Sequence, residues 1–316
     1  MSKKHIVVIG LGGVGGYFGF KINKFNEFSQ EFHITFAARN QTFHAINERG
    51  LVLNSVEMGE VITKPDSVIE NISDIINPDL VLICVKAYDL ENVCKQLQNV
   101  IIPKTILLPL MNGADIYDRI RKVIPTHTIL PSCVYISAHI KGSGIIEHRS
   151  MPGKIIFGRD NANPDTPIDW VIELLQKSQI DFDLQENPQK AIWTKFLFIA
   201  SFGLVTAKHN SSFGTVCSDP TQKQEAENIM NEIKAIAYAR GIVLDENVNE
   251  NTFKIASSFP FETPSSIQLD IHGKKGVSEL DLLGGTILRL GKELAIATPC
   301  TKAIFNEITQ LIETNN

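Results

Sequence analysis

A chain of 316 residues with 43% hydrophobic and 21% charged residues can bury a sizeable core, which excludes a disordered or fibrous protein and suggests two domains. Thirty Lys plus Arg against 35 Asp plus Glu leave a net charge of −5, and no basic run with interleaved aromatics stands out. A nucleic-acid partner is therefore not expected. Cys84, Cys94, Cys133, Cys217 and Cys300 are scattered with no CxxC pair, and the eight histidines show no HExxH spacing, so neither a disulfide framework nor a metal site is expected. Only His5 to Ile9 separate the Met1-Ser2-Lys3-Lys4 start from a glycine cluster, and the most apolar stretch, Phe196 to Ala207, spans 12 residues. That is too short to cross a bilayer, and the expectation is a cytoplasmic protein with no membrane partner.

Ile6 to Ile9 is a β-branched run that ends at Gly10-Leu11-Gly12-Gly13-Val14-Gly15-Gly16, after which Tyr17, Phe18, Phe20 and Ile22 continue at helical spacing. The pattern predicts strand, tight turn, helix. Strands are predicted at His33 to Ala38, Leu80 to Val85 and Thr105 to Leu110, with helices at Thr42 to Glu48, Asp89 to Val100 and Asp115 to Val123. Buried strands alternating with helices imply a parallel, doubly wound sheet. Strand-like pieces from Ile129 to Phe157, with turn signals at Gly142 to Gly144 and Pro152-Gly153, read as an antiparallel extension of that sheet, and a helix follows at Pro167 to Gln179. Beyond Gln185 to Pro188 the pattern is helical: Gln189 to Ala207, Gln222 to Arg240, Val248 to Ser257, Ser265 to Ile271, Glu279 to Ala295 and Thr301 to Thr314. The fold class is α/β, with a nucleotide-binding domain over residues 1–185 and an all-helical domain over residues 186–316.

Gly10-x-Gly12-x-x-Gly15 carries a mechanical meaning in this setting. The first glycine makes the turn, the second lets a pyrophosphate approach the backbone, and the third allows close helix–strand packing, with the helix N-terminus facing the phosphates. Gly10, Leu11, Gly12, Gly13, Val14 and Gly15 are thus candidate cofactor-binding residues. The end of the second strand, where NAD-preferring folds place an acid, reads Ala37-Ala38-Arg39-Asn40. Arg39 can pair with a 2′-phosphate, and no local carboxylate repels it, so NADP(H) is the expected cofactor.

Gly12-Gly13-Val14-Gly15-Gly16-Tyr17-Phe18-Gly19 resembles the N-terminal motif of the ketopantoate reductase family. Further matches follow in order: Val85-Lys86, Asn112-Gly113, Trp193-Thr194-Lys195, Ser265-Ser266 with Asp270, and Glu279-Leu280-Asp281. The resemblance spans nearly the whole chain. It implies a Rossmann-type N-terminal domain, a helical C-terminal domain, a cleft between them, and NADPH-dependent reduction of a small 2-oxo acid, 2-dehydropantoate to pantoate in pantothenate biosynthesis. It also implies roles. Lys195 would be the general acid, Glu279 would orient a substrate hydroxyl or cofactor ribose, and Ser266 would bind the substrate carboxylate. Asn112 would touch both the nicotinamide side and substrate, and Lys86 would lie near the cofactor. The residues agree in part, since Lys195 sits beside Trp193 and Phe196 in a strongly apolar helix, where desolvation favours proton donation.

Two departures from the family pattern bear on substrate choice. Positions four and eight residues after the lysine, where the family carries asparagines, hold Ile199 and Gly203. A 3.6-residue period places 195, 199 and 203 on one stripe, so the missing amides would remove hydrogen bonds at the substrate and make a more apolar 2-oxo acid, or another carbonyl compound, credible. Asn210, Ser211 and Ser212 are candidate substitutes. Glu279 also follows Asp270 by nine positions, one more than the family spacing. A relative acting on another substrate and a noncatalytic NADP(H)-binding redox sensor stay open beside the reductase, and the apolar helices of the second half leave room for a homodimer.

Overall fold

Ile6, Val7, Val8 and Ile9 are at most 4% exposed, and such a β-branched run buried on both faces forms the centre of a parallel sheet. The computed structural model describes residues 3–56, 58–149, 152–274 and 277–315. In chain order the first unit contains β1 (Lys4–Ile9), α1 (Gly13–Ser29), β2 (Phe32–Ala37), α2 (Asn40–Arg49), β3 (Leu51–Ser55), β4 (Gly59–Thr63) and β5 (Ser67–Ile69). It continues with β6 (Leu80–Ile83), α3 (Ala87–Leu97), β7 (Ile106–Pro109), α4 (Ile116–Val123), β8 (Thr128–Ile129), β9 (Ser132–Tyr135), β10 (Ala138–Gly142), β11 (Ile145–His148), β12 (Lys154–Gly158), α5 (Asp169–Lys177) and β13 (Asp181–Gln185).

Six of these strands form one all-parallel sheet in the order β5-β2-β1-β6-β7-β8. Counted along the chain, that is the 3-2-1-4-5-6 order of a dinucleotide-binding sheet, whose direction of winding reverses between β1 and β6. The predicted antiparallel extension is absent from it. Residues 132–158 instead contribute to two further sheets, β10-β11-β3-β4 and β13-β12-β9, while residues 150 and 151 lie outside the described residues. Strands β3, β4, β5 and β13 are not among the predicted elements, although Asp181–Gln185 alternates polar and apolar residues as a strand does.

The β10-β11-β3-β4 sheet explains two glycines. Helix α1 packs on both the parallel sheet and this second sheet, so its buried residues run almost all round, Asn23 and Asn26 included. A Cβ at Gly13 would collide with the Ala138 carbonyl of β10, and one at Gly16 with the Ile146 side chain of β11. Asn23 is satisfied by donating to Thr63 Oγ1 at 2.6 Å, and Asn26 by pairing with the Phe32 backbone.

The chain divides into two compact units, Met1–Pro188 and Gln189–Asn316. The second is helical: α6 (Gln189–His209), α7 (Phe213–Ser218), α8 (Pro220–Ala239), α9 (Val248–Ser257), α10 (Ser266–His272), a π-helical turn at Asp281–Gly285, α11 (Thr286–Glu293) and α12 (Pro299–Asn315). Local chemistry sets the ends of these helices. Asp219 caps α8 with Pro220 at its first position, and Ser265 with Gln268 forms a capping box on α10. Helix α6 is longer than its most apolar stretch. By length and composition it could cross a membrane, but 72% of its most apolar window is buried inside the fold, as in the core helix of a globular unit.

Candidate active site

The turn after β1 shows what each glycine of the fingerprint does. Gly10 has φ 91°, and a Cβ there would stand 2.7 Å from the Cys84 carbonyl oxygen. At Gly15 a Cβ would strike the carbonyl oxygen of Gly10, so only glycine lets α1 approach β1 this closely. Gly12 differs, since a Cβ there would meet nothing within 4 Å. Its emptiness leaves room for a group outside the fold. Gly12 is also the N-cap of α1, with no side-chain cap and no acidic residue in the first turn, so the helix end presents amide N–H groups and unopposed positive potential. Such a cradle fits a pyrophosphate.

These residues open into a cleft of about 570 Å³ over the carboxyl ends of β1, β2 and β6. Gly10, Leu11, Gly12, Arg39 and Lys86 line it. Gly13, Val14 and Gly15 form the first turn of α1 behind the loop, and Asn112 stands one strand further on, half-buried after β7 and before Gly113 at φ 121°. Lys86 is exposed at the N-cap of α3. Burial pushes the Cys84 thiol well above its ordinary range, which keeps the cleft wall uncharged there.

Two carboxylates that sequence reading missed enter this cleft from other segments. Asp89, in the first turn of α3, accepts from Arg39 Nη2 at 2.8 Å, and Glu70, after β5, accepts the Asn40 backbone N–H at 2.8 Å. The expectation that no carboxylate faces Arg39 therefore fails. Asp89 is 50 residues away in sequence and meets Arg39 only because β2 and β6 flank β1.

In the second unit, Lys195 and Ile199 lie half-buried on α6, and Trp193 and Phe196 are each 1% exposed. Phe198 stacks on Phe259 with ring centroids 6.3 Å apart. Gly203 is fully buried, and a Cβ there would come within 3.1 Å of both Ile267 on α10 and Leu283 in the π-helical turn. Helix α10, which begins at Ser266, and the π-helical turn that follows Glu279 thus both pack on α6, which carries Lys195. Ser265 rather than Ser266 caps α10, and its hydroxyl also lies 2.7 Å from Thr206 Oγ1, while Ser266 stays exposed. The candidate substitutes are engaged in the fold: Asn210 accepts from Gln268, Ser211 donates to Gln222, and Ser212 caps α7.

A family model described as ketopantoate reductase PanE/ApbA matches residues 6–162, and one described as its C-terminal region matches residues 187–312. The chain belongs to the ketopantoate reductase family. It is an NADP-dependent oxidoreductase that reduces 2-oxo acids. Among relatives of this ketopantoate reductase-family chain are YkpB of Bacillus subtilis, described as an uncharacterized oxidoreductase, and a 2-dehydropantoate 2-reductase of Streptococcus pyogenes. Each is 25% identical, over 95% of this chain and 96% and 95% of their own lengths. The fold is shared with the crystal structure of a PanE/ApbA family ketopantoate reductase from Ralstonia eutropha, with TM-score 0.87 and 22% identity over 98% of this chain and 99% of that one. It is shared equally with a D-mandelate dehydrogenase solved with NADH and anilino(oxo)acetate, with TM-score 0.85 and 20% identity over 98% and 99%.

Proposed function

We propose that this reductase takes a 2-oxo acid whose side chain is apolar, in preference to 2-dehydropantoate with its distal hydroxyl. The carrying observation is the α6 stripe that starts at Lys195. Ile199 follows one turn later, and the Gly203 position is closed by Ile267 and Leu283, so neither site offers an amide. Phe198, three residues after Lys195 on α6, stacks on Phe259 and adds aromatic surface on the lysine side of the helix. The D-mandelate dehydrogenase of like fold supports an apolar or aromatic substrate in this architecture. Reduction of 2-dehydropantoate itself is the second reading, favoured by the Streptococcus pyogenes relative.

Each candidate residue has a role under this proposal. The residue range 1–185 forms the cofactor domain and 186–316 the substrate domain. Gly10 to Gly15 hold the pyrophosphate against the N-terminus of α1, Arg39 meets the 2′-phosphate, and Lys86 and Asn112 lie along the cofactor. The bound nicotinamide supplies the hydride. Lys195 holds the proton that the carbonyl oxygen takes up as it becomes a hydroxyl, Ser266 donates to the substrate carboxylate, and Glu279 orients a hydroxyl of substrate or ribose.

The test compares NADPH oxidation on 2-dehydropantoate and on its skeleton without the hydroxyl, 3,3-dimethyl-2-oxobutanoate, with phenylglyoxylate as an aromatic member. The parent is expected to give the higher kcat/KM on the deoxygenated compounds. Ile199→Asn should lower KM for 2-dehydropantoate alone, by about tenfold, since a restored hydrogen bond to a buried hydroxyl is worth on the order of 1 to 3 kcal/mol. Efficient turnover of 2-dehydropantoate by the parent would return the protein to the second reading.

A further inference from the structure

The Arg39–Asp89 pair joins the two sides of the cofactor cleft. Arg39 is the N-cap residue of α2, directly after β2, and Asp89 lies in the first turn of α3, after β6. Strands β2 and β6 are the two neighbours of β1, so their axes are about 10 Å apart and the side chains span the crevice beyond the end of β1. Both residues line the cleft, and the contact is a single Nη2–Oδ2 approach of 2.8 Å, with 63% of the Arg39 side chain exposed. That geometry leaves the guanidinium fork incompletely used and able to change partner.

We propose that Asp89 sets the cofactor selectivity of this enzyme by competing with the 2′-phosphate of NADPH for Arg39. The inference rests on the placement of Arg39 against that phosphate. A ribose at the end of β2 presents either a neutral 2′-hydroxyl, as in NADH, or a dianionic phosphate. The hydroxyl leaves the Arg39–Asp89 pair intact. The phosphate draws the guanidinium into a bidentate contact and strands Asp89 as a like charge beside it, with Glu70 on the same side of the cleft. Asp89 therefore opposes the binding of NADPH more than that of NADH, and it does so through Arg39 as a positioning residue.

The test is equilibrium binding, read by quenching of protein fluorescence or by calorimetry, of NADPH, NADH, 2′,5′-ADP and 5′-AMP to the parent, Asp89→Asn, Arg39→Ala and the double variant. Asp89→Asn keeps the shape and removes the charge. It should tighten NADPH and 2′,5′-ADP by about three- to tenfold, the scale of one exposed ion pair lost and one repulsion relieved, and leave NADH and 5′-AMP within about twofold. In the Arg39→Ala background the gain should fall to the smaller part that direct repulsion by Asp89 supplies. An unchanged or reduced NADPH-to-NADH preference in Asp89→Asn, or an equal gain with Arg39 absent, would overturn the proposal. Arg39→Ala binding both dinucleotides as the parent does would instead overturn the assignment of Arg39 to the 2′-phosphate, a separate failure that the fragments 2′,5′-ADP and 5′-AMP expose directly.

Discussion

The proposed proton donor, Lys195, is carried by the long and largely buried helix α6. Lys195 lies half-buried between Trp193 and Phe196 in the chain, two residues that are each 1% exposed, and under the proposed function it gives its proton to the bound carbonyl oxygen. Lys195→Ala should reduce turnover by about 2 to 4 orders of magnitude, the contribution expected of a positioned acid. NADPH affinity should be nearly unchanged, because Gly12 and Arg39 belong to the other unit of the chain. Single-turnover kinetics with a parallel binding titration check both parts, and near-parental turnover would assign the proton to another group or to water. The position of Arg39 after β2 was legible in Ala37-Ala38-Arg39, but the carboxylate that holds it comes from Asp89 and could not be read locally.

At the scale of the helix, Gly203 changes meaning once its neighbours are known. In sequence it reads as a missing amide; in the fold it is a point where side chains of α10 and of the π-helical turn lie against α6. Gly203→Asn would place a Cβ within 3.1 Å of Ile267 and Leu283 and then bury an amide among apolar groups. The expected loss is about 2 to 4 kcal/mol, an overpacking cost plus unsatisfied polar groups. Gly203→Ala should cost less, since the gain in helix propensity of about 1 kcal/mol offsets part of the strain. Thermal unfolding of the two variants decides it: equal or raised Tm for Gly203→Asn would show that the three elements can part to admit an amide. Other elements were legible because their signals are local. Helices α8 and α10 were legible in outline, at Gln222 to Arg240 and Ser265 to Ile271, although the Asp219-Pro220 start and the Ser265–Gln268 capping box that bound them were not read. The π-helical turn inside the predicted 279–295 helix was not legible, because apolar spacing hardly distinguishes one inserted residue from a continuous α-helix.

Across the first unit, Asp160 ties together segments that are far apart in the chain. Its carboxylate is fully buried and is met by Tyr117 and Arg121 of α4, by Asn163, and by the backbone N–H groups of Ile129 and Ala162. Burial pushes its pKa up, but the donors from Tyr117, Asn163, Ile129 and Ala162 outweigh it and hold the group below the usual carboxylate range. Since the folded value lies below the unfolded value of about 3.9, the stabilisation is complete above that unfolded value and fades as pH falls through the lowered folded one. Asp160→Asn should cost about 3 kcal/mol near pH 7, because it leaves Arg121 without its buried partner, and the variant should lose stability less steeply than the parent on acidification below about pH 4. Urea unfolding at a series of pH values measures both, and identical acid slopes would remove Asp160 from the account.

The sequence by itself determined what depends on neighbours within a few residues: the β-branched strand into a glycine turn, the alternation that makes a parallel sheet, the helical second half, and the ordered motifs of the family. These signals survive in one dimension because strand burial, turn geometry and capping act over one or two turns of chain. Only the tertiary structure decided which glycine is open and which is packed, since Gly12 faces empty space while Gly13, Gly15 and Gly16 are pressed by Ala138, Gly10 and Ile146. It also decided that Asp89 reaches Arg39 and that Ile267 fills the Gly203 position. The contacts of Ala138 and Ile146 with α1, of Asp89 with Arg39 and of Ile267 with Gly203 join residues distant in sequence, and such contacts are fixed by strand order and helix packing, which no local pattern encodes.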